Sequence, residues 1–203
     1  VSGKNCLFRN IQFYHGFTSG VANSICVNVS GERNLFQFCQ FAGMMDATSA
    51  QSAGSRSLKV GASGRGENLF EDCVIGADTV ARTVANASLE LAGGTPRNVF
   101  RRCIFPFWGS SATILGILGT GASCIDRETY FEQCSFTNAI KSGSTGMTAV
   151  ASLTNASPGG MLVFRDCMFV GATKIGDATA MSNSYIDMAA PSTGAGGLGV
   201  NPS

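Results

Sequence analysis

The chain has 203 residues, which suits one large domain or two small ones and allows a sizeable buried core. Only 13% of the residues are charged, and the net charge of +1 excludes the strongly charged surface expected of a protein that binds nucleic acid or an anionic membrane. The most apolar stretch, residues 104–118, is broken by Pro106, Gly109 and two serines, so the sequence predicts no membrane-spanning segment.

The first predicted element is a phrase that opens as LFRNIQF at residues 7–13 and returns five times. The later copies are LFQFCQF (35–41), LFEDCVI (69–75), VFRRCIF (99–105), YFEQCSF (130–136) and VFRDCMF (163–169). One column is phenylalanine in every copy: Phe8, Phe36, Phe70, Phe100, Phe131 and Phe164. Three residues later the column is Ile11, Cys39, Cys73, Cys103, Cys134 and Cys167, with spacings of 28, 34, 30, 31 and 33 residues. Such a period predicts a solenoid repeat.

A second phrase lies between consecutive copies of the first and occurs once more after the last copy. It begins with a serine and continues as an alternating run, such as SLKV (57–60) or SLEL (88–91), which indicates a short strand. The serines of this phrase are Ser24, Ser57, Ser88, Ser123, Ser152 and Ser184. Glycine-rich or polar turns such as GGTPR (93–97) connect the two phrases.

Each repeat therefore contains three short strands separated by bends. The phenylalanine and the cysteine of the first phrase can both face inward only if the two residues between them form a bend, and Asn10, Asp72 and Asp166 at the end of that bend are residue types that favour one. Glycine, serine, threonine and β-branched residues argue against helical repeats. We predict an all-β, single-stranded parallel β-helix of about six coils of ~31 residues, right-handed like most parallel crossovers.

The predicted β-helix domain covers residues 1–188. The last segment, AAPSTGAGGLGVNPS (189–203), has small residues, two prolines and no charge, and predicts an extended C-terminal arm or a frayed tail. Because the first phrase starts close to Val1, the first coil should expose Phe8, Ile11 and Phe13 at its end. We expect an upstream segment or a partner chain to cover this end, since terminal coils need capping.

The cysteine column predicts a row of buried side chains about 4.8 Å apart. Disulfides and a metal site are the functional alternatives, but parallel Cβ directions disfavour the disulfide torsion, and the sequence has neither a CxxC pair nor a histidine near the column. We expect free thiols that pack as small apolar groups, as in a protein assembled inside a cell.

Outward-facing residues of the first phrase alternate in charge. The column two residues before the cysteine reads Arg9, Gln37, Glu71, Arg101, Glu132 and Arg165, and Lys59 precedes Glu90 in the same way on the serine strand. Opposite charges on neighbouring strands stabilise a sheet, whereas a glycosidase needs carboxylates clustered on one face. The densest group, Glu71–Asp72 beside Arg101–Arg102, and the only histidine, His15, are better explained as structural. No catalytic, cofactor-binding or metal-binding residue and no cofactor are predicted.

One connection is far more apolar than the others. The segment FPFWGSSATILGILGTG (105–121) carries the only tryptophan, and its apolar side chains exceed what the interior of one coil should hold. Exposed tryptophan and phenylalanine often anchor interfaces, so this segment predicts a contact with another chain; an ordinary packed loop is the alternative. The candidate interface residues are Phe107, Trp108, Ile114, Leu115, Ile117 and Leu118.

The repeated N-x-F-x-x-C-x-F phrase, with serine strands between its copies, resembles β-helix proteins encoded among the structural genes of tailed bacteriophages, over essentially the whole chain. The resemblance implies a virion protein such as a head decoration, or a tailspike that binds or cleaves surface glycans, and it implies a homotrimer. No tailspike catalytic motif matches this sequence residue by residue.

The expected function is therefore that of a non-enzymatic virion protein that decorates or cements a capsid. Its partners would be other virion proteins and sister subunits, without nucleic acid or membrane, and it would be assembled in the host cytoplasm. One alternative is a tailspike-like or pectate-lyase-like β-helix that binds or cleaves glycans, which a groove of acids and aromatics would favour. Another is a bacterial surface or adhesion module, which a cleaved secretion signal would favour.

Overall fold

The computed structural model describes residues 1–16, 22, 24–61, 64–111, 113–121, 123–138, 145–153 and 160–176, and the backbone of residues 185–187. The predicted C-terminal arm, residues 189–203, and Ser184 lie outside the described residues. The described strands form three large parallel sheets and one two-stranded sheet, and the described part of the chain has one short helix, α1 (Ala47–Ala50).

The first sheet holds the six strands that end just after the repeated phenylalanine and a seventh strand that has Ile186 at that position. In spatial order they are β1 (Leu7–Arg9), β4 (Leu35–Gln37), β7 (Leu69–Glu71), β11 (Val99–Arg101), β15 (Glu128–Glu132), β18 (Met161–Arg165) and β21 (Tyr185–Asp187). The second sheet holds the strands that follow the cysteine column: β2 (Gln12–Tyr14), β5 (Gln40–Ala42), β8 (Val74–Ile75), β12 (Ile104–Phe107), β16 (Ser135–Asn138) and β19 (Met168–Val170).

The third sheet closes each coil. Its strands are β3 (Ile25–Val29), β6 (Arg56–Val60), β9 (Leu89–Ala92), β13 (Ile114–Thr120), β17 (Met147–Ser152) and β20 (Ala172–Gly176). A short extra pair, β10 (Thr95–Pro96) with β14 (Ile125–Asp126), is also parallel. Because every strand pairs in parallel with its equivalent one coil away, the predicted parallel β-helix is confirmed. Its right hand stays a prediction.

The repeated phenylalanines form the central column of the core. Phe36, Phe70, Phe100, Phe131 and Phe164 are in register on neighbouring strands and have no exposed surface. Their rings stack nearly parallel, with centroids 4.7 to 5.1 Å apart. The second aromatic column, Phe41, Ile75, Phe105, Phe136 and Phe169, packs against the first, and several of its rings meet the first column edge to face.

The predicted bend between phenylalanine and cysteine occurs in all six copies. The residue before the cysteine column has a positive φ between 50° and 56° in each: Asn10, Phe38, Asp72, Arg102, Gln133 and Asp166. Asn and Asp adopt this left-handed conformation readily, whereas other residues with a Cβ pay roughly 1–2 kcal/mol for it. In the other three copies the stacked strands on both sides of the bend must therefore impose the conformation.

Buried asparagines form a second internal ladder, at the start of the first sheet. Asn68 Oδ1 accepts hydrogen bonds from the backbone N–H (3.0 Å) and the Nδ2 (3.2 Å) of Asn34, and Asn98 Oδ1 accepts the same two bonds from Asn68. All three residues are at most 1% exposed. Each side chain thus satisfies a backbone donor of the neighbouring coil, which explains why asparagine opens three copies of the phrase.

The predicted serine column is correct only between two coils. Leu58 pairs with Leu89, which places Ser57 beside Ser88, but Ile25 pairs with Arg56, so that Ser24 is aligned with Ser55. Farther along, Ser152 pairs with Leu118 of β13. The segment after Ser123 belongs to the short β14 instead of the third sheet. Hence the third-sheet strand of that coil comes from a different segment than the serine phrase predicts.

All eight cysteines are free, and five of them are buried: Cys39, Cys73, Cys103, Cys124 and Cys134. The repeated column Cys39, Cys73, Cys103, Cys134 and Cys167, hereafter the thiol column, lines the core from the second coil to the sixth. Its first four members are 1–2% exposed, which confirms the predicted packing, and Cys167 is half-buried. Burial raises the pKa of Cys26 to about 11 and that of Cys103 well above its ordinary value.

We expect at most three thiols of the reduced, native protein to react with an aromatic disulfide reagent at pH 8, namely the half-buried Cys6, Cys26 and Cys167. The thiolate is the reactive form, and the five buried thiols have neither access to the reagent nor a solvated thiolate. Absorbance of the released thiol should report all eight only in denaturant. Rapid native reaction of four or more would contradict the packing of the column.

Candidate interaction surfaces

The segment predicted to contact another chain is for the most part core. Phe107, Leu115 and Ile117 have no exposed surface and belong to the hydrophobic cluster that fills the solenoid. They cannot form an exposed apolar patch, so this part of the sequence prediction is wrong. Trp108 and Leu118 are half-buried, and the side chain of Ile114 lies outside the described part of the structure.

The physical reason is that residues 114–120 are the third-sheet strand of their coil. β13 lies between β9 and β17, with Ile117 paired to both Leu89 and Ala151. A Cβ on Gly116 would lie only 2.4 Å from the carbonyl oxygen of Val150, so this strand needs glycine where the backbones approach. The apolar side chains of this segment are therefore explained by its place as a core-facing strand of the third sheet. An interface is not needed to explain them.

Trp108 begins a loop that backbone hydrogen bonds hold against the preceding coil. The backbone N–H of Arg82 donates to the Trp108 carbonyl oxygen (2.8 Å), and the N–H of Ser110 donates to the Arg82 carbonyl oxygen (2.9 Å). The Arg82 side chain itself is 2% exposed and lies over the Phe107 ring, 5.5 Å from its centroid. Its Nη1 donates to the Asn86 carbonyl oxygen (2.9 Å) and its Nη2 to Ser88 Oγ (3.2 Å). Burial lowers the pKa of Arg82 to about 9.

The charged column on the first sheet is an ion-pair ladder, as the sequence predicts. Arg101 Nε lies 2.9 Å from Glu132 Oε2, and its Nη1 lies 3.7 Å from Glu71 Oε1. Arg165 extends the ladder to Glu132 (3.6 Å). At the bend, Arg102 pairs with Asp72 (2.8 Å) and with Glu71 (2.9 Å). These carboxylates therefore face bases instead of one another.

The bases also determine how these carboxyl groups titrate. Hydrogen bonds from Gln37 and Arg102 hold the pKa of Glu71 below its ordinary value, and the hydrogen bond from Arg102 does the same for Asp72. A general acid needs a carboxyl group whose pKa is raised toward the working pH. The densest acidic group of the chain is thus shifted in the wrong direction for proton donation.

Exposed apolar side chains concentrate at the first coil, residues 1–30. Nine large apolar residues of the described chain are exposed, and five of them lie here: Val1, Leu7, Ile11, Tyr14 and Ile25. Leu7 and Tyr14 are the most exposed, at 61% and 60%. The remaining four, Phe38, Ile104, Met161 and Met168, are distributed over three later coils. Among the residues that the structure describes, such side chains are therefore concentrated on the first coil.

This coil is also the open edge of all three sheets. β1, β2 and β3 each have one neighbour, namely β4, β5 and β6, and are the terminal strands of their sheets. Phe8 stacks on Phe36 at 4.7 Å and Phe13 on Phe41 at 5.2 Å, but both outer rings are only half-buried, whereas the inner rings have no exposed surface. The core columns thus end at a surface that has apolar side chains and one-sided strands.

Comparison with known proteins adds nothing to these observations: no family model, no curated protein and no solved structure matches the chain. Within the described ranges, no helix has the length and apolar character needed to cross a membrane. In the same part of the chain, no three or more histidine, cysteine, aspartate or glutamate side chains are grouped as ligands for a metal ion.

Proposed function

We propose that this chain is a non-enzymatic structural protein that joins a larger assembly through the open end of its first coil, and that the assembly is the virion of a tailed bacteriophage. The observation that carries the first part is the concentration of exposed apolar side chains on the first coil, whose three strands are one-sided edges of their sheets. The second part rests on the resemblance of the repeated phrase to phage structural proteins. Within the virion the favoured role is decoration or cementing of the capsid shell, with a homotrimer as the favoured form.

The structure of the coils suits a rod that bears load rather than a site that performs chemistry. Strands of adjacent coils are bonded in parallel, the aromatic columns run through the solenoid, and oppositely charged side chains are paired on its outer face. Such a solenoid has a continuous buried core, and each coil is stabilised only by contacts with its two neighbouring coils. Rigid, repetitive bodies of this kind are suited to spanning the distance between two attachment points.

The occupant that fits the first coil is an extended polypeptide segment that adds a parallel strand to one or more of β1, β2 and β3. Each of these edge strands has backbone groups on its outer side that no described strand pairs with. Strand addition would satisfy them through main-chain hydrogen bonds, while the exposed side chains of Leu7 and Tyr14 would pack against side chains of the added segment. A flat apolar partner would cover the side chains but leave the backbone groups unpaired.

The experiment is to purify particles of the virus that encodes the chain and to identify their proteins by mass spectrometry. Particles lacking the protein are then incubated with the wild-type chain or with the variant Leu7→Glu/Ile25→Lys, and binding is measured by co-sedimentation. Both replaced side chains are exposed, at 61% and 38%, so the fold should be retained. We expect the variant to lose at least tenfold in affinity, because it places charges where an apolar edge must be buried.

The control variant is Ile104→Lys, which adds a charge at a side chain that is 48% exposed in the middle of the solenoid. It should bind as the wild type does. Absence of the chain from purified particles would refute the virion assignment. Presence in particles together with unchanged binding of Leu7→Glu/Ile25→Lys would leave that assignment standing and refute docking through the first coil.

A further inference from the structure

Consecutive coils are joined around the first phrase by the same three backbone hydrogen bonds. The residue before the phenylalanine donates its N–H to the preceding coil, the residue after the phenylalanine accepts the N–H of the preceding bend, and the residue after the cysteine donates its N–H. Between the first two coils, written from N–H to carbonyl oxygen, the bonds are Leu35 to Cys6 (2.8 Å), Asn10 to Gln37 (3.0 Å) and Gln40 to Ile11 (2.9 Å). The same three bonds, at 2.8 to 3.1 Å, join the second coil to the third, the third to the fourth and the fourth to the fifth.

The first coil presents the same three groups on its open side. Leu7, Arg9 and Gln12 are in register with Leu35, Gln37 and Gln40 of the second coil. All three residues are exposed, and the described chain has no strand beyond β1 or β2 on that side. The N–H of Leu7, the carbonyl oxygen of Arg9 and the N–H of Gln12 therefore match one half of the contact that joins the later coils.

The apolar side chains at this end follow the same phrase. Phe8 and Phe13 are half-buried, and Ile11, which occupies the cysteine position, is 37% exposed. The edge strand of the third sheet differs, because its core residues Val27 and Val29 are only 7% and 1% exposed. The open core residues thus lie along β1, the bend and β2, so these two strands are better suited to receive a partner than β3.

The contacts within the solenoid show what covers such a surface. Phe36 and Phe41 of the second coil have no exposed surface, because Phe8 and Phe13 stack on them at 4.7 and 5.2 Å. We propose that the first coil binds a segment of a partner protein that carries the repeated phrase itself, apolar–x–bend–apolar–x–apolar, parallel to residues 8–13. This inference rests on the proposed function and adds to it the sequence pattern of the partner.

The bend is the most selective part of this pattern. The residue before the cysteine column has a φ between 50° and 56° in all six copies. A segment that pairs with both β1 and β2 must adopt the same left-handed conformation, which glycine, asparagine and aspartate adopt readily and β-branched residues do not. An arbitrary apolar strand could pair with one of the two strands but could not follow the chain from β1 to β2.

The test is the fluorescence anisotropy of a labelled peptide with the sequence of residues 68–76, NLFEDCVIG, titrated with the reduced full chain. We expect saturable binding of this peptide and none of a scrambled peptide of the same composition. In the peptide, Asp72→Val should weaken binding about fivefold or more, because valine resists the bend, whereas Asp72→Gly should not weaken it. Phe70→Ser in the peptide should weaken binding about tenfold or more, because it removes the ring that stacks on Phe8.

Matched variants of the chain locate the bound peptide. Gln12→Pro deletes the outward N–H and leaves the contacts with the second coil in place, since proline is tolerated on an edge strand whose N–H faces solvent. Gln12→Ala keeps that N–H. We expect Gln12→Ala to bind the peptide as the wild type does and Gln12→Pro to bind it about fivefold or more weakly. If circular dichroism shows that Gln12→Pro does not fold, the peptide variants decide the outcome.

The proposal is overturned if the chain does not bind the peptide, if the scrambled peptide binds equally well, or if a folded Gln12→Pro variant binds it as Gln12→Ala does. A self-associated chain that Gln12→Pro makes monomeric would place a second copy on this end and would also overturn it. Absence of peptide binding, together with loss of particle binding by Leu7→Glu/Ile25→Lys, would leave the proposed function standing and refute only the repeated phrase as its partner.

Discussion

Replacing Phe100 with alanine is expected to lower the free energy of unfolding by about 3–5 kcal/mol. The ring has no exposed surface, and it stacks between Phe70 at 4.7 Å and Phe131 at 4.9 Å. Neighbouring coils cannot collapse into the vacated space, because the strands that hold both rings are kept one rung apart by their hydrogen bonds. The variant therefore loses both the transfer free energy of the ring and the contacts of the rings above and below it.

Urea unfolding followed by circular dichroism measures this difference. Ile104→Ala, four residues farther on and 48% exposed, should cost less than about 1 kcal/mol, as is usual for surface positions. A loss below about 1 kcal/mol for Phe100→Ala would show that the phenylalanine column is not the central element of the core.

Replacing Glu90 with alanine is expected to cost about 3–5 kcal/mol, because it leaves a buried arginine without its counter-charge. Glu90 and Arg56 are 6% and 5% exposed, and Arg56 Nε lies 2.9 Å from Glu90 Oε2. The other carboxylate oxygen binds Lys59 Nζ (2.7 Å) and the Thr120 hydroxyl (2.8 Å). The sequence predicts the Lys59 pairing, whereas the buried pairing with Arg56 appears only in the structure.

Two further variants show which part of this cost is electrostatic. Arg56→Met/Glu90→Met replaces the buried pair by apolar side chains and should recover most of the loss. Arg33→Ala removes the partner of Glu67 in an exposed ion pair, in which the two side chains are 59% and 33% exposed. It should lower the free energy of unfolding by less than about 1 kcal/mol. If the double variant is as unstable as Glu90→Ala, the loss comes from packing and the charge argument fails.

The effect of Glu90→Ala should also depend on pH. Burial raises the pKa of Glu90, but the hydrogen bonds from Lys59 and Thr120 and the charges of Arg56 and Lys59 outweigh it and leave the pKa below the ordinary 4.5. A carboxyl group whose pKa is lowered by folding contributes stability above its unfolded pKa and loses that contribution as the pH falls through its folded pKa. The difference between wild type and Glu90→Ala should thus be full at pH 6 and shrink below pH 4.5.

The two errors in the sequence prediction have one cause. Residues 114–120 and the segment after Ser123 both lie between the fourth and fifth copies of the repeated phrase, and the sequence does not say which of them the third sheet selects. If that place is given to the segment after Ser123, Leu115 and Ile117 have no role in the core, and the sequence then predicts an interface. In the structure these residues pair with β9 and β17 and face the core, while Ile125 pairs with Thr95 at a different corner.

The sequence by itself determined the repeat, the identity of two core columns, the bend before the cysteines and the alternation of charge on the outer face. It could do so because a solenoid places equivalent residues in the same surroundings once per coil. The same physical requirement therefore produces the same residue type in each of the six copies. Features that occur once carry no such repetition. The burial of Arg82, the pairing of Arg56 with Glu90 and the choice of β13 as a third-sheet strand depend on which loop of one coil lies beside which strand of the next. Only the tertiary structure decided them, because those contacts join residues about thirty positions apart. No periodic pattern in the sequence predicts such single contacts.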